Sequence, residues 1–327
     1  MVPKVPKGCV IGVDLGGTKV LAGAVDERLG VHHRARRSSR GEDTAEVLSI
    51  IEGAVREASE AVDGVVEAVG VGVPSTIDAL RGVSIYSTHL PLAGVPVATL
   101  LAERLGLPVF MDNDANLALL AEHRAGAAEG ADNALMLTLG TGIGGGILID
   151  GRIYRGSQGA AAELGHMVVD QDGPPCQGNC PNRGCLEVMA SGSALVREAT
   201  ALAGERPRSA LGRALASGRG ITGPLVTELA HDGDEAAREV LGLIGRRLGV
   251  GISSLVNVFD PDVVLIGGGV VAAGELLFEP ARDEMRARAL PPGRDHVRIL
   301  PTRFGDESGM LGAAVLARDA IDARAAA

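Results

Sequence analysis

An apolar segment, a glycine-rich turn and a second apolar segment occur twice in this chain, at residues 9–25 and again at 134–149. Cys9-Val-Ile-Gly-Val-Asp14 reads as a buried strand, Leu15-Gly-Gly-Thr-Lys19 as a tight turn and 20–25 as a strand running back. In the second copy 134–139 is the strand, Gly140-Thr-Gly-Ile-Gly-Gly-Gly146 the turn and 147–149 the return. Vicinal glycines let a backbone approach a ligand closely, and the amides there, with Thr18, suit phosphate oxygens; an ordinary Gly-Gly hairpin is the alternative. Repetition of the unit predicts a duplicated α/β architecture with a cleft between the copies. Gly140 to Gly145 also fits the GxGxxG dinucleotide pattern, but that motif must open a helix and a strand follows here, which argues against a nicotinamide dehydrogenase.

Ala45, Val47, Leu48, Ile51, Val55, Ala58 and Val62 recur at helical spacing, so 43–62 is an amphipathic helix. A strand over 65–73 stops at Pro74, a helix covers 97–105 and a strand covers 108–111. Asp112-Asn113-Asp114-Ala115-Asn116 then precedes a helix at 115–127. The cluster therefore sits where a strand ends and a helix begins, the place where open α/β sheets hold ligands. Capping would account for Asn113 or Asp114 singly, though not for the whole cluster. Asp14 would repel phosphate directly, so its role is to orient Mg2+ or the water around it. Helices are expected at 191–203, 209–217, 222–231 and 235–259, a buried strand at 262–266 and a last helix at 309–323. Gly267-Gly268-Gly269 permits approach of an adenine ring or its ribose, or simply makes a tight turn; Pro291-Pro292-Gly293 reads as a surface loop.

Three of the four cysteines fall within ten residues, at Cys176, Cys180 and Cys185, after Glu163-Leu-Gly-His166 and before Glu187. One imidazole and three thiols in a turn-rich segment supply the donors of a tetrahedral structural zinc; a disulfide, leaving one thiol odd, and free thiols are the alternatives. Glu163 and Glu187 bracket the loop. With one imidazole nitrogen on zinc and the other donating a hydrogen bond, two acids and an N–H suit a polyhydroxyl ligand such as a sugar; solvated loop acids are the plain alternative. The 327 residues suffice for two domains, and Lys plus Arg of 31 against Asp plus Glu of 41 gives a net charge of −10. Acidity with two Tyr, four Phe and no Trp excludes the basic, aromatic surface of a nucleic-acid binder. Gly, Pro or charge breaks every apolar run short of membrane length, and residues 1–7 are too short and polar for a signal peptide, so no membrane partner and a cytoplasmic location are expected.

These segments, in this order, resemble the ROK family of sugar kinases and sugar-responsive repressors in the actin-like ATPase superfamily. The likeness rests on Asp14-Leu-Gly-Gly-Thr-Lys19, Asp112 to Asn116, Leu139 to Gly146, Glu163-Leu-Gly-His166, Cys180 to Glu187 and Val264 to Gly269. It implies two actin-like (ribonuclease H-like) α/β domains around a cleft with a zinc-bound loop: 1–127 plus 309–327, and 128–308 carrying the zinc loop and nucleotide-binding part. It implies ATP with Mg2+ as donor, a hexose as acceptor, phosphorylation at the 6-hydroxyl with glucose the first candidate, and a homodimer or homotetramer. N-acetylmannosamine, N-acetylglucosamine, mannose and fructose are the other acceptors in view. By position Asp114 matches the general base, and Asn113, Asp114, Glu163, His166 and Glu187 the hexose-binding set. His166, Cys176, Cys180 and Cys185 match the zinc ligands. Asp14, Gly16, Gly17, Thr18 and Lys19 match one phosphate loop; Thr138, Gly140, Thr141, Gly142 and Gly144 match the other, with Gly267, Gly268 and Gly269 near adenosine. Three departures stand out: relatives pair the first two cysteines as CxC where this chain has Cys176 and Cys180, and Pro74-Ser75 and His89-Leu90 replace Pro-Gly and Asn-Leu beside the sugar pocket. The family's repressors carry a DNA-binding module ahead of the first hairpin, whereas eight residues precede Cys9. A kinase is therefore the expectation, ahead of a sugar-sensing regulator.

Overall fold

The structure, a computed structural model, describes residues 8–87 and 90–326, so His89 lies outside the described residues. The first part of the chain forms β1 (Cys9–Leu15), β2 (Lys19–Val25), β3 (Val31–Ser38), α1 (Thr44–Glu60), β4 (Val66–Val73), β5 (Thr76–Asp78), β6 (Val83–Tyr86), α2 (Val97–Leu105), β7 (Val109–Asn113) and α3 (Asp114–Ala125). Next come β8 (Ala134–Leu139), β9 (Ile143–Ile149), β10 (Arg152–Ile153), α4 (Leu186–Ala190), α5 (Gly192–Glu205), α6 (Ala210–Ala216), α7 (Gly223–His231) and α8 (Glu235–Phe259). β11 (Val263–Gly267), α9 (Glu275–Arg288), α10 (Gly293–His296), β12 (Arg298–Pro301) and α11 (Ser308–Ala325) complete it. None of the described helices is long and apolar enough to cross a membrane.

Two five-stranded sheets have orders β3-β2-β1-β4-β7 and β10-β9-β8-β11-β12, and β5 and β6 form a separate two-stranded sheet. In each five-stranded sheet, an antiparallel hairpin (β1 with β2, β8 with β9) is extended by two parallel strands (β4 and β7, β11 and β12). The repeat seen in the sequence is thus a repeat of topology. Chain contacts divide the protein into one unit that runs to Gly130 and takes in Arg152–Ala161 and Arg303–Ala327, and a second made of Ala131–Gly151 and Ala162–Thr302. This corrects the expected division: residues 152–161 belong with the first unit, which also resumes at Arg303 rather than at 309. The reason is local packing, because Gly159 presses on the Ile77 carbonyl, which a Cβ would meet at 1.9 Å, and Arg155 pairs with Asp112.

In the first unit the alternation of β1 and β4 separates two packings. Ile11, Val13, Leu15, Val69, Val71 and Val73 join α1 and α2 in one core. The opposite face bears glycines, and α11 lies on it backbone to backbone: a Cβ at Gly12 would fall 2.0 Å from the Met310 carbonyl oxygen and one at Gly70 1.8 Å from that of Ala313. On the helix side Gly312 does the same for the Leu117 carbonyl of α3, at 1.7 Å. In the second unit α8 is central, and Gly245 and Gly249 admit the α9 carbonyls of Leu277 and Ala281, each 2.5 Å from where a Cβ would stand.

Several elements depart from expectation. The second glycine turn is shorter than 140–146, because β9 starts at Ile143 and Gly144, Gly145 and Gly146 pair with Thr138, Leu137 and Met136. The helix expected at 191–203 is α5, whose N-cap Ser191 accepts from the Ala194 N–H, and the short α4 directly before it goes unanticipated. β3 goes unanticipated because only Ala35 of its eight residues is buried. Pro280 inside α9 and Pro301 at the end of β12 mask those elements too. Gly293 is buried at the start of α10 rather than lying in a surface loop.

Candidate active site

In the first sheet the register brings the chemistry-bearing residues to the C-terminal ends of the parallel strands. Asp14 of β1 is the partner of Gly72 of β4, which is the partner of Asp112 of β7. A Cβ at Gly309, in the first turn of α11, would lie 2.8 Å from the Asp14 carboxyl carbon, so the helix start closes over that acid. Burial, with the Asp114 carboxylate adding and Lys19 opposing, pushes Asp14 up to about 7. Two neighbouring carboxylates, one reluctant to ionise, form the hard oxygen set that a hydrated divalent cation relieves. Lys19 forms an exposed ion pair with Asp306 at 2.9 Å. Gly17 has open space around it, which leaves the first turn free for ligand approach.

The Asp112 to Asn116 cluster separates into distinct tasks. Asp112 is buried and takes the Arg155 guanidinium through Nε at 2.7 Å and Nη2 at 2.6 Å on Oδ2; its Oδ1 accepts from the Asn113 N–H at 2.8 Å and the Asn116 amide at 3.2 Å. Asp112 therefore fixes the strand end. Asn113 is the N-cap of α3, accepting from the N–H groups of Ala115 and Asn116, and its Nδ2 donates to the Ser75 carbonyl at 3.3 Å. Asp114 is the first residue of α3, and its Oδ1 accepts from the Ala115 N–H at 2.9 Å. A carboxylate on the first turn of a helix interacts favourably with the helix dipole. Arg155 was not singled out from sequence: it stands 43 residues from Asp112 in a stretch without pattern, and only the fold pairs them.

The second sheet gathers its glycines the same way. Thr138 near the end of β8 has Gly144 as its partner on β9 and Gly267 on β11. The glycines serve different purposes. Gly140 and Gly269 have open space; Gly268, with φ +86°, has no room for a Cβ because the Leu139 carbonyl oxygen would be 2.2 Å away. Gly142 makes way for Glu187, whose Oε2 accepts the Ile143 N–H at 2.9 Å. The Gly140–Gly142 turn is further held by α5: the Gly192 N–H donates to the Gly140 carbonyl at 2.8 Å and the Ser193 hydroxyl to the Thr141 carbonyl at 2.7 Å. Thr141 itself is exposed.

Glu187, on the first turn of α4, follows directly from the cysteine loop. In that loop the donor atoms of His166, Cys176, Cys180 and Cys185 all lie within 4.8 Å of one another. His166 Nδ1 is 3.5 Å from Cys176 Sγ, and Cys180 Sγ is 3.9 Å from Cys185 Sγ. These separations match the edges of a tetrahedron with metal–sulfur bonds of about 2.3 Å, roughly 3.8 Å between sulfurs. Gly178, with φ +59°, turns the widened Cys176–Cys180 segment so that both thiols reach the cluster. Burial, with the Cys185 and Cys180 thiols adding, pushes Cys176 up to about 12, and burial raises Cys185 as well. Thiols that resist ionisation alone, as Cys176 and Cys185 do, become thiolates readily on a cation. With Nδ1 facing the sulfurs, the other imidazole nitrogen, Nε2, stands 4.0 Å from the exposed Glu163 carboxylate. Glu163 caps the start and His166 is the last residue of a single turn of 3-10 helix, entered through Ala162 at φ +70°.

The sequence pattern that defines the ROK family matches residues 10–320. The chain belongs to the ROK family. Within it, the chain is 34% identical over 318 residues to a glucokinase of Thermotoga maritima, covering 97% of this chain and 99% of that one. A ROK family glucokinase from Streptomyces griseus, solved in complex with glucose and AMPPNP, is 38% identical and superposes with a TM-score of 0.84 over 95% of this chain and 100% of that one. A putative xylose repressor from a Caldicellulosiruptor species is 32% identical over 311 residues, which cover 93% of this chain and 77% of the repressor. The Streptomyces griseus glucokinase and a ROK hexokinase from Thermus thermophilus, 34% identical with a TM-score of 0.76 over 96% of this chain and 99% of that one, share the mixed α/β fold of this chain.

Proposed function

We propose that this chain is an ATP-dependent hexose kinase, with glucose as first acceptor and glucose 6-phosphate as product. The observation that carries the reading is Asp114: a carboxylate on the first turn of α3, beside the N-cap Asn113, in a chain similar to glucokinases along nearly its full length. A sugar hydroxyl is a weak nucleophile at neutral pH, so the enzyme must aim it in line with the γ-phosphate and accept its proton as the new bond forms. Asp114 accepts that proton, and Asn113 positions the reacting end of the sugar through its amide. Glu163, Glu187 through its Oε1, and His166 through Nε2 bind ring hydroxyls, each acid accepting and the imidazole N–H donating.

The backbone amides of the turns at Gly16–Thr18 and Gly140–Gly142 hold phosphate oxygens, with Lys19, Thr138, Thr141 and Gly144 alongside, while Gly267 to Gly269 lie by the adenosine. Mg2+ bound with ATP would neutralise charge on the phosphates, and Asp14 is the residue that would orient its water shell. His166, Cys176, Cys180 and Cys185 would hold zinc, and with His166 Nδ1 on the metal side its Nε2 would carry the proton that it donates to the sugar. We place the enzyme in the cytoplasm as a homodimer or homotetramer without a nucleic-acid partner; light scattering on the purified protein reads the assembly.

The test is ADP release with glucose, N-acetylmannosamine, N-acetylglucosamine, mannose and fructose. Glucose is expected to give the highest kcat/KM, and Asp114→Asn to lower turnover about 10²-fold or more while glucose affinity stays within several fold. Near-normal turnover in that variant removes Asp114 from the mechanism.

A further inference from the structure

Ser75 follows Pro74 at the end of β4, two residues beyond Val73, whose partner on β7 is Asn113. Its backbone is committed on both sides: the Ser75 N–H donates to the Val73 carbonyl at 2.8 Å, and its own carbonyl accepts from Asn113 Nδ2 at 3.3 Å. The residue is 7% exposed, yet its buried Oγ has no hydrogen-bond partner in the protein. An unpaired hydroxyl in such a place destabilises the fold relative to glycine or alanine, and the rest of the β4 C-terminal half is Val and Gly, so strand formation does not call for it. A partner from outside the chain resolves the conflict. The residue that pins the Ser75 carbonyl is Asn113, one of the groups assigned above to the acceptor.

We infer that Ser75 is a specificity-determining residue for the acceptor, its buried hydroxyl exchanging a hydrogen bond with one ring hydroxyl of the sugar that Asn113 positions. The inference rests on the hexose-kinase reading. A hydroxyl donates and accepts, so it matches a polyol and is left stranded by an analogue that lacks the facing group. Sites built in this way discriminate strongly against the deoxy substrate.

The experiment compares wild type with Ser75→Ala on glucose and its 1-, 2-, 3- and 4-deoxy analogues. In wild type one analogue is expected to lose about 10- to 100-fold in kcat/KM through this contact. In Ser75→Ala, glucose falls by about that factor, the one analogue is unchanged, and the other three fall in step with glucose. A uniform change across all five sugars, or no change, overturns the assignment, since a structural role or a bound water in the same place treats them alike. Should the Ala variant fail to fold by circular dichroism, Ser75→Gly serves with the same criteria. If wild type phosphorylates no hexose, the kinase reading falls by itself; calorimetric binding of the same five sugars then applies the identical comparison to Ser75, and absence of any binding overturns that too.

Discussion

Asp14 shows how a fold can hold a single buried acid at its own expense. Its ordinary value of 3.8 rises to about 7, with burial the main cause and Asp114 the second. The folded protein thus holds this proton more tightly than the unfolded chain does. Stability from the protonated group is fully present below about pH 3.8, declines as pH rises and is lost above about 7. The shift corresponds to a ceiling of roughly 4 kcal/mol. Asp14→Asn, which cannot ionise, is expected to melt above wild type at pH 8 in magnesium-free buffer and level with it at pH 4, while phosphoryl transfer drops steeply. Scanning calorimetry at the two pH values checks this, and a variant no more stable than wild type at pH 8 contradicts it. The acid and amide cluster at the start of α3 and the His166, Cys176, Cys180 and Cys185 grouping could be read from the sequence because each is contiguous or nearly so. Arg155 and the burial of Ser75 could not, because each depends on segments tens of residues apart meeting at a sheet edge.

At the scale of the element, the glycines divide by what surrounds them. Gly70 and Gly312 allow β4, α11 and α3 to meet through their backbones, and a methyl there collides with a carbonyl that has nowhere to go. Gly70→Ala is expected to cost at least about 3 kcal/mol in urea unfolding. Gly17 has nothing within 4 Å, so Gly17→Ala leaves stability nearly unchanged and, if the first turn holds phosphate, raises the KM for ATP. Equal destabilisation by the two substitutions would refute the distinction. The strand and helix pattern was legible wherever apolar residues recur with a clear period, as in β1, α1 and α8. It was not for β3, polar on an edge, for α9 with its internal proline, or for β9, whose glycines read as turn formers until β8 pairs with them.

On the scale of the whole molecule, the second unit carries a link from its cysteine loop to its glycine turn. Glu187 leaves the loop on α4 and holds the Ile143 N–H, while Gly192 and Ser193 hold Gly140 and Thr141. If the four donors bind zinc, elemental analysis finds one ion per chain, and a high-affinity chelator lowers the melting temperature by about 5–10 °C, several kcal/mol for a unit of this size. The same treatment raises the KM for ATP as well as for the sugar, because the turn loses its anchor along with the loop. A chelated protein whose KM for ATP is unchanged would sever that link. Ser193→Ala, which removes one tie while leaving the cysteines intact, is expected to shift the KM for ATP alone.

The sequence by itself determined that this chain builds the same sheet twice, which residues could hold a metal, and which acids stand at a strand end, because period, spacing and adjacency are local properties that a linear string records. Only the tertiary structure decided that residues 152–161 return to the first unit, that Asp112 is consumed by Arg155, and which glycines are there for packing. Those outcomes depend on which backbones come within van der Waals contact after the strands pair, and no local pattern encodes that distance.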